Sequence, residues 1–349
     1  MCAAHIDHIA FLTPGNYRDD APRAGLEAAL ELFRLGEALG YDSAWVRQRH
    51  LEHAVSSAAT FLAAASQRTT RIGLGAAVIQ MGYENPFRLA EDLASVDLLS
   101  GGRLNVGLSA GAPGHGTLLG ERLFDADPAQ IDFSHARVER LRRNLSGEWL
   151  GDEASFVESA AGRVRPRITP HAPGLASRLW YGGGSQRSVE WAARNGFNLL
   201  IGNITTGEGT DDYREAQLRQ LETYRKHWSG AQPPRVALGR VIVPLDSADA
   251  ATRERYRAFA AGRHARTLAP QGERRTVFVP DIVGTSEEIL TQLHADPVLA
   301  QVRELRLELP YDLPFENYRQ ILEDFITRIA PELQWRASSA ANPPTQIAA

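Results

Sequence analysis

The feature that most constrains the fold of this chain is a regular alternation of short apolar runs with longer amphipathic segments. The run Ser43–Val46 has the length of a strand, whereas the segment 23–39 places Leu26, Leu30 and Phe33 near helical spacing. About eight such units follow one another without an obvious linker. Repeated strand-then-helix order predicts a parallel sheet, and eight units predict an α/β fold of the closed (β/α)8 barrel type. A doubly wound open sheet is the alternative.

Each predicted element has a definite place in the sequence. The predicted strands are Ile6–Leu12, Ser43–Val46, Arg71–Val78, Arg103–Gly111, Arg178–Gly183, Phe197–Asn203, Arg235–Leu245 and Glu304–Pro310. Helices are predicted near 23–39, 58–66, 87–102, 132–149, 188–196, 213–228, 285–293 and 315–329. The polar, proline-containing segment 151–173 is expected to be an irregular loop insertion. We expect one barrel domain over 1–335 and a disordered tail, rich in alanine, serine and proline, over 336–349.

The charge pattern argues against several classes of partner. The 349-residue chain has a net charge of -4 and no long basic run, so binding to nucleic acid or a membrane surface has no electrostatic support. No stretch approaches the roughly 18 apolar residues of a membrane-spanning helix, and the first residues lack the pattern of a secretory signal. Cys2 is the single cysteine, which excludes an intrachain disulfide and fits a reducing compartment. We therefore expect a cytoplasmic protein.

The end of predicted strand five is a candidate phosphate site, because barrel active sites lie at the carboxyl ends of the strands. Gly182–Gly184 allow the backbone to approach a ligand closely. Ser185 and Ser188 supply hydroxyl and N–H groups at a helix N-terminus, and Arg187 adds a positive charge. A tight turn with a serine cap explains the same residues, so both interpretations stay open.

Other strand ends also hold candidate site residues. His50 and His53 follow strand two, where an imidazole can do acid–base chemistry; a solvated loop histidine is the simpler explanation. The small residues of "GLGAAV" at the end of strand three leave space for a flat ring, or only relieve crowding. Ser109 faces the same space if strand alternation holds, and a capping hydroxyl is its alternative.

Metal chemistry has little support. His5, Asp7 and His8 precede most of the first apolar run, which puts them towards the end of the barrel opposite to an active site. Strands five and six end in glycine and asparagine, without histidine or lysine. We therefore expect no metal site, and no Ser-His-Asp or Cys-His constellation or Walker-type loop stands out.

Several longer stretches resemble a known family. They are "GYDSAWVRQRH" at 40–50, "RIGLGAAVIQMGYENPFRLAEDLASVDLLSGGRLNVGLSAG" at 71–111, "GSQRSVEWAARNGFNLL" at 184–200 and "DIVGTSEEILTQL" at 281–293. In this order and spacing, the stretches resemble the bacterial luciferase-like family of flavin-dependent monooxygenases. The resemblance covers about residues 6–329 and implies a TIM barrel that uses reduced FMN with O2; one branch of the family uses the deazaflavin F420.

The resemblance also implies roles for individual residues. Ala77 and Val78 match a pair that lies under the flavin ring and is often joined by a cis peptide. Ser109 matches the position beside the reactive edge of the flavin. The remaining implied cofactor residues are Gly184, Ser185 and Ser188 in the phosphate-binding turn, Arg187 as an added candidate there, and Gly202 and Asn203 at the end of strand six.

Two departures from the family pattern affect these roles. Family members often read Glu-His-His after strand two, and the first histidine is the general base in the luciferases; the same positions here are Gln48, Arg49 and His50. Either His50 takes over as the base or the chemistry does not need that base. Ala110 stands where luciferases carry a phosphate-binding arginine, and this strengthens the case for Arg187 as a phosphate ligand.

The leading functional hypothesis is a monooxygenase in which His50 and Ser109 assist a reaction of reduced FMN, O2 and a small organic substrate inside a pocket that excludes water. A separate NAD(P)H flavin reductase would supply the reduced FMN, and dimers are common among relatives, so a homodimer is compatible with the resemblance. An F420-dependent oxidoreductase on the same barrel is the first alternative. A flavin-binding protein without catalysis is the second.

Overall fold

The computed structural model describes residues 5–160 and 162–337, and its centre is a closed barrel of eight parallel strands. The barrel strands are β1 (His8–Thr13), β2 (Ser43–Val46), β3 (Gly73–Gln80), β4 (Leu104–Ser109), β5 (Leu179–Gly182), β6 (Asn198–Ile201), β7 (Val236–Arg240) and β8 (Glu304–Glu308). Each strand pairs with its neighbours in sequence, and β8 closes the ring by pairing with β1. The predicted (β/α)8 barrel is therefore confirmed, and the open sheet is excluded.

Helices connect the strands on the outside of the barrel. They are α1 (Pro22–Leu39), α2 (Ala58–Ser66), α3 (Pro86–Leu99), α4 (Ala136–Leu145), α5 (Gln186–Arg194), α6 (Tyr213–His227), α7 (Ala250–His264), α8 (Ser286–His294) and α9 (Phe315–Asp324). A single helical turn, Gly116–Leu119, lies between β4 and α4. The predicted last helix ends at Asp324 as an α-helix and continues as a π-turn over Phe325–Ile329.

Local sequence explains where several helices begin and end. The side chain of Asn85 accepts hydrogen bonds from two N–H groups in the first turn of α3, and Pro86 occupies its first position. Thr285 and Glu288 form a capping box at the start of α8. Helix α1 ends where Gly40 takes the left-handed conformation (φ 93°), which favours glycine.

Short paired strands lie outside the barrel. Val157–Ser159 pairs with Gly162–Val164 inside the predicted irregular insertion, and Ile204–Thr206 pairs with Thr276–Phe278. The predicted seventh strand, 235–245, is interrupted at Val241, because Ile242–Pro244 leaves the barrel to pair with Ile282–Gly284. Cys2 and residues 338–349 of the predicted tail lie outside the described residues.

The core has two parts that follow the alternation of the strands. On β8, Leu305 and Leu307 belong to the large core shared with the helices. A smaller cluster lies inside the barrel and consists of Ala10, Leu12, Trp45, Trp180, Leu200 and Ala237. Trp45 and Trp180 meet edge to face with ring centroids 5.8 Å apart, so these two indoles fill the middle of the barrel.

Candidate active site

A cavity of about 270 Å3 opens at the carboxyl ends of the barrel strands. Ala77 and Val78 of β3 form one wall, and Gly182–Gly184 at the end of β5 form another. Gly202 and Asn203, directly after β6, complete this side. One cavity is therefore lined by five of the cofactor residues that the resemblance implies: Ala77, Val78, Gly184, Gly202 and Asn203. The peptide bond between Ala77 and Val78 is cis.

Glycines allow close packing around this cavity. A Cβ atom at Gly182 would lie 3.0 Å from Val78 Cγ1, and one at Gly107 would lie 2.5 Å from the carbonyl oxygen of Ala76. A Cβ at Gly239 would collide with the carboxylate of Glu308. Side chains at these places would collide with Val78, Ala76 and Glu308, so glycine allows these groups to pack closely at the barrel mouth.

A buried cluster of three charges forms the floor of the cavity. Arg47 Nη2 lies 2.6 Å from Glu308 Oε2, and Arg306 Nη2 lies 3.5 Å from Glu308 Oε1. The side chains of Arg306 and Glu308 are only 4% and 3% exposed. One carboxylate thus faces two guanidinium groups, and burial lowers the pKa of Arg306. Nε and Nη1 of Arg306 are buried and have no hydrogen-bond partner among the described residues.

Sequence reasoning missed this cluster. Its signal is the segment "ELRLE", where Glu304, Arg306 and Glu308 alternate with leucines and occupy the inward positions of β8. Charged residues at inward positions of a barrel strand are costly unless they are paired or used. Arg47, the partner of Glu308, lies 261 positions away in sequence, so the pairing itself could not be read from local pattern.

The predicted phosphate turn is a well-formed helix start that already holds a carboxylate. Ser185 Oγ accepts a hydrogen bond from the N–H of Ser188 at 3.2 Å. The N–H of Gln186 donates to Glu208 Oε2 at 2.7 Å, so a side chain from the loop after β6 occupies the N-terminus of α5. Arg187 is exposed and makes no hydrogen bond or ion pair with the residues the structure describes.

His50 lies in a half-buried cluster beside the barrel mouth. Its ring stacks on Tyr83 with centroids 3.9 Å apart, and its Nε2 lies 3.0 Å from the amide nitrogen of Gln48. Gln48 also donates to Glu84 Oε1 at 2.9 Å. Burial, with a smaller contribution from His115, lowers the pKa of His50, and burial raises the pKa of Glu84. The neutral imidazole is therefore the favoured form of His50 at neutral pH.

Ser109 ends β4 and is half-buried. The next N–H, that of Ala110, donates to the hydroxyl of Tyr181 at 3.2 Å. The residues that line the 270 Å3 cavity do not include His50, Ser109 or the Ser185–Ser188 turn, so the structure does not bring the predicted catalytic residues into its wall.

A second cavity of about 190 Å3 adjoins the first. We call the 270 Å3 cavity the inner cavity and this one the outer cavity. Arg47, Asn203 and Ile204 line both. The remaining outer lining is a set of arginines and mainly apolar residues: Arg49, Val241, Phe259, Arg263, Arg266, Leu309, Pro310 and Tyr311.

The histidines near the first strand serve local contacts. His5 Nε2 lies 2.6 Å from Asp7 Oδ1, and His8 Nε2 lies 2.8 Å from Ser43 Oγ. These residues lie at or before the start of β1, opposite to the cavities. Within residues 5–160 and 162–337 there is no group of three or more His, Cys, Asp or Glu side chains placed to hold a metal ion.

Enzymes of the (β/α)8-barrel class have their active sites at the carboxyl ends of the strands, where this barrel has its glycine-lined cavity. The sequence model of the luciferase-like monooxygenases matches residues 8–299. The chain therefore belongs to the luciferase-like monooxygenase family, a family of oxidoreductases.

Curated relatives carry monooxygenase names. The 4-hydroxyprotoasukamycin monooxygenase of Streptomyces nodosus subsp. asukaensis is 36% identical over 40% of this chain, and the limonene 1,2-monooxygenase of Rhodococcus erythropolis is 31% identical over 51%. The chain spans only 37% and 49% of the lengths of these two relatives. The oxygenase component of the flavin-dependent trigonelline monooxygenase of Acinetobacter baylyi is 21% identical, over 86% of this chain and 88% of its own.

Solved structures share the fold over nearly the whole chain. A monooxygenase from Streptomyces bottropensis gives a TM-score of 0.68 at 22% identity, covering 92% of this chain and 98% of its own. The oxygenating constituent of the 3,6-diketocamphane monooxygenase of Pseudomonas putida, in complex with FMN, gives 0.67 at 16%, covering 95% and 99%. An F420-dependent secondary alcohol dehydrogenase gives 0.61 at 17%, covering 94% and 99%. At these identities the likeness establishes the fold.

In the described part of the chain, no helix combines the length and the apolar character needed to cross a bilayer.

Proposed function

We propose that this protein is a flavin-dependent monooxygenase that uses reduced FMN and O2 on a small organic substrate. The observation that carries the proposal is the inner cavity, a slot with the Ala77–Val78 wall on one side and glycines on the other, in a chain of the luciferase-like monooxygenase family. A flat ring suits such a slot, because Gly182 and Gly202 bring backbone rather than side chains to its edge.

The fit of a flavin to these residues supports the proposal. Ala77 and Val78 would lie against the ring, and Gly184, Gly202 and Asn203 would border it. Bound there, a reduced flavin supplies the electrons that activate O2, while the chain's own residues orient the ring and keep water out.

The start of α5 is the proposed site of the flavin phosphate. Ser185 and Ser188 offer hydroxyl groups at the positive end of the helix, and the exposed Arg187 adds a charge. Glu208 now accepts the N–H of Gln186, and its negative charge would repel a phosphate. Phosphate binding at this helix therefore requires the carboxylate of Glu208 to move away.

His50 and Ser109 are the proposed participants in proton handling. The lowered pKa of His50 keeps the ring unprotonated at neutral pH, so the ring is able to accept a proton. Ser109 is a half-buried hydroxyl at the end of β4, the neighbour of the Ala77–Val78 strand in the barrel.

A separate reductase is the proposed source of reduced flavin. One relative that covers most of the chain is named as the oxygenase component of its system. An NAD(P)H-dependent flavin reductase is the matching partner class, because the proposed chemistry consumes reduced FMN in each turnover.

The second candidate function is an F420-dependent oxidoreductase on the same barrel, which is favoured by the likeness to the F420-dependent alcohol dehydrogenase. Anaerobic titration with reduced FMN or reduced F420, followed by air, separates the two functions. We expect tighter binding of FMN and oxygen-dependent reoxidation. A much higher affinity for F420 than for FMN, without oxygen-dependent turnover, would contradict the monooxygenase proposal.

A further inference from the structure

The outer cavity has an excess of positive charge. Arg47, Arg49, Arg263 and Arg266 line it, and its lining contains no carboxylate. Two of these arginines already have acid partners, since Arg47 pairs with Glu308, and Arg263 binds both oxygens of Asp281 at 2.6 and 3.2 Å.

Arg49 and Arg266 are the two arginines of this lining that form no salt bridge within the described part of the chain. Neither guanidinium makes a hydrogen bond or an ion pair with the residues that the structure describes. Nε of Arg266 is buried without a hydrogen-bond partner, and its guanidinium lies over Phe278 with Cζ 4.4 Å from the ring centroid. Burial and the nearby charge of Arg263 lower the pKa of Arg266, against a smaller opposing effect of the Asp281 carboxylate. An unpaired charge in a half-buried position is costly, so an anion placed here would relieve an existing electrostatic penalty.

The rest of the outer lining suits a carbon skeleton. Val241, Phe259 and Leu309 are apolar, and Phe259 packs beneath the guanidinium of Arg263, 4.6 Å from its Cζ to the ring centroid. Val241 and Leu309 are almost fully buried, so Phe259, which is half-buried, is the apolar side chain that a small inorganic anion would leave in contact with water. A ligand with an acid group and an apolar body satisfies both parts of the lining.

The position of the outer cavity determines how this ligand is oriented relative to the inner cavity. The proposed flavin ring lies against β3 and its phosphate at α5, which leaves the side of the mouth near β2, β7 and β8 for a second molecule. Arg47, Asn203 and Ile204 line both cavities, so a molecule held by its acid group in the outer cavity points its other end to the inner cavity.

We propose that the substrate is an organic acid whose anionic group binds to Arg49 and Arg266 in the outer cavity while its apolar body reaches towards the inner cavity. The proposal rests on the proposed function, because it assigns the substrate class of the same site. The protein as a whole carries a net charge of -4, so this local positive site opposes the overall charge and attracts anions at short range.

Calorimetric titration of the full-length protein with acids and their uncharged amides tests the proposal. The probes are phenylacetate with phenylacetamide, and octanoate with octanamide. We expect each acid to bind at least about tenfold more tightly than its amide, and the difference to shrink with added salt. We expect Arg49→Gln and Arg266→Gln each to weaken acid binding by about tenfold, and Arg49→Lys and Arg266→Lys to retain most of it.

Arg257→Gln is the matched control, because it replaces an exposed arginine of α7 that does not line either cavity. This variant should bind the acids as the unaltered protein does. Absence of acid binding, equal binding of acids and amides, or full acid binding by the Arg49→Gln/Arg266→Gln double variant would overturn the proposal.

The cofactor phosphate is the other source of an acid group, and the same variants test it. If the double variant loses FMN binding but keeps riboflavin binding, the arginines hold the cofactor phosphate and the proposal is wrong. Failure of the proposed function has a different signature. In that case the protein binds the acids through Arg49 and Arg266 but shows no oxygen-dependent reoxidation of reduced FMN.

Discussion

Two residues of opposite charge lie at the proposed phosphate turn. Glu208 accepts the N–H of Gln186 at the first position of α5, and Arg187 extends into solvent one residue further on. A phosphate at this helix start would be repelled by the carboxylate of Glu208 and attracted by the guanidinium of Arg187. The two side chains therefore offer independent tests of where the cofactor phosphate binds.

We predict that Arg187→Ala weakens FMN binding and that Glu208→Gln strengthens it, each by roughly two- to tenfold, while riboflavin binding changes little. Fluorescence titration with both flavins measures the effect. Glu222→Gln, on the exposed surface of α6, is the control. An equal loss of FMN and riboflavin binding in Arg187→Ala would remove the phosphate role from Arg187.

His50 predicts a particular pH dependence. Because burial lowers its pKa below the ordinary value of 6.5, the unprotonated ring persists at neutral pH and is lost only as the pH falls through the lowered pKa. We predict that kcat/KM declines on the acid side below pH 6.5, and that His50→Gln slows turnover by roughly 10²-fold or more and removes this decline. His53→Gln, which alters an exposed histidine near Asp19, should leave the profile unchanged. An unaltered profile in His50→Gln would leave His50 as a loop residue.

At the scale of the strands, glycines determine the shape of the inner cavity. Gly202 is an informative position, because a Cβ there would meet only Glu308 Oε1 at 3.5 Å and the N–H nitrogen of Ile204 at 3.9 Å. These are ordinary van der Waals distances, so the backbone tolerates a side chain. A larger side chain at Gly202 would take up volume in the cavity without a clash in the core.

We predict that Gly202→Val folds normally but binds FMN about tenfold or more weakly, because the added methyl groups occupy space proposed for the ring. Gly262→Val places the same side chain at a helix position where a Cβ meets nothing within 4 Å. Flavin titration with circular dichroism compares the two variants. Unchanged FMN affinity in Gly202→Val would argue against a ring in the inner cavity.

The elements were more predictable than their contacts. All barrel strands were located from short apolar runs, and β2 and α2 have the predicted bounds, because periodicity and glycine breaks are local signals. The cavity wall residues Ala77, Val78 and Gly202 were implied by the resemblance to the luciferase-like family, which matches short stretches of sequence. The pairing of Arg47 with Glu308 was not, because it joins β2 to β8 and depends on how the barrel closes.

One buried ion pair connects three parts of the chain near the barrel mouth. Arg240, at the end of β7, donates to Asp296 Oδ2 from Nε at 3.0 Å and from Nη2 at 2.8 Å. The same Nη2 donates to Gln217 of α6 at 2.9 Å. The side chains of Arg240 and Asp296 are 1% and 6% exposed, so removal of one leaves the other charged in a dry place.

We predict that Arg240→Met lowers the free energy of unfolding by about 3–5 kcal/mol, because Asp296 keeps a buried charge without its partner. Urea unfolding followed by circular dichroism measures the change. Arg257→Met, on the exposed face of α7, should stay within about 0.5 kcal/mol of the unaltered protein. A loss below about 1 kcal/mol in Arg240→Met would show that water or a rearrangement compensates Asp296.

The contact between Glu208 and α5 has a consequence for binding and release of the proposed cofactor. If the flavin phosphate binds at this helix, the carboxylate is an intramolecular competitor. The apparent affinity for the flavin is then its intrinsic affinity reduced by the fraction of molecules in which Glu208 has left the helix. In the proposed two-component reaction, the lower apparent affinity leaves a larger share of the flavin free in solution. Flavin that is free in solution is available to the proposed reductase, so the two proteins would share one pool of cofactor.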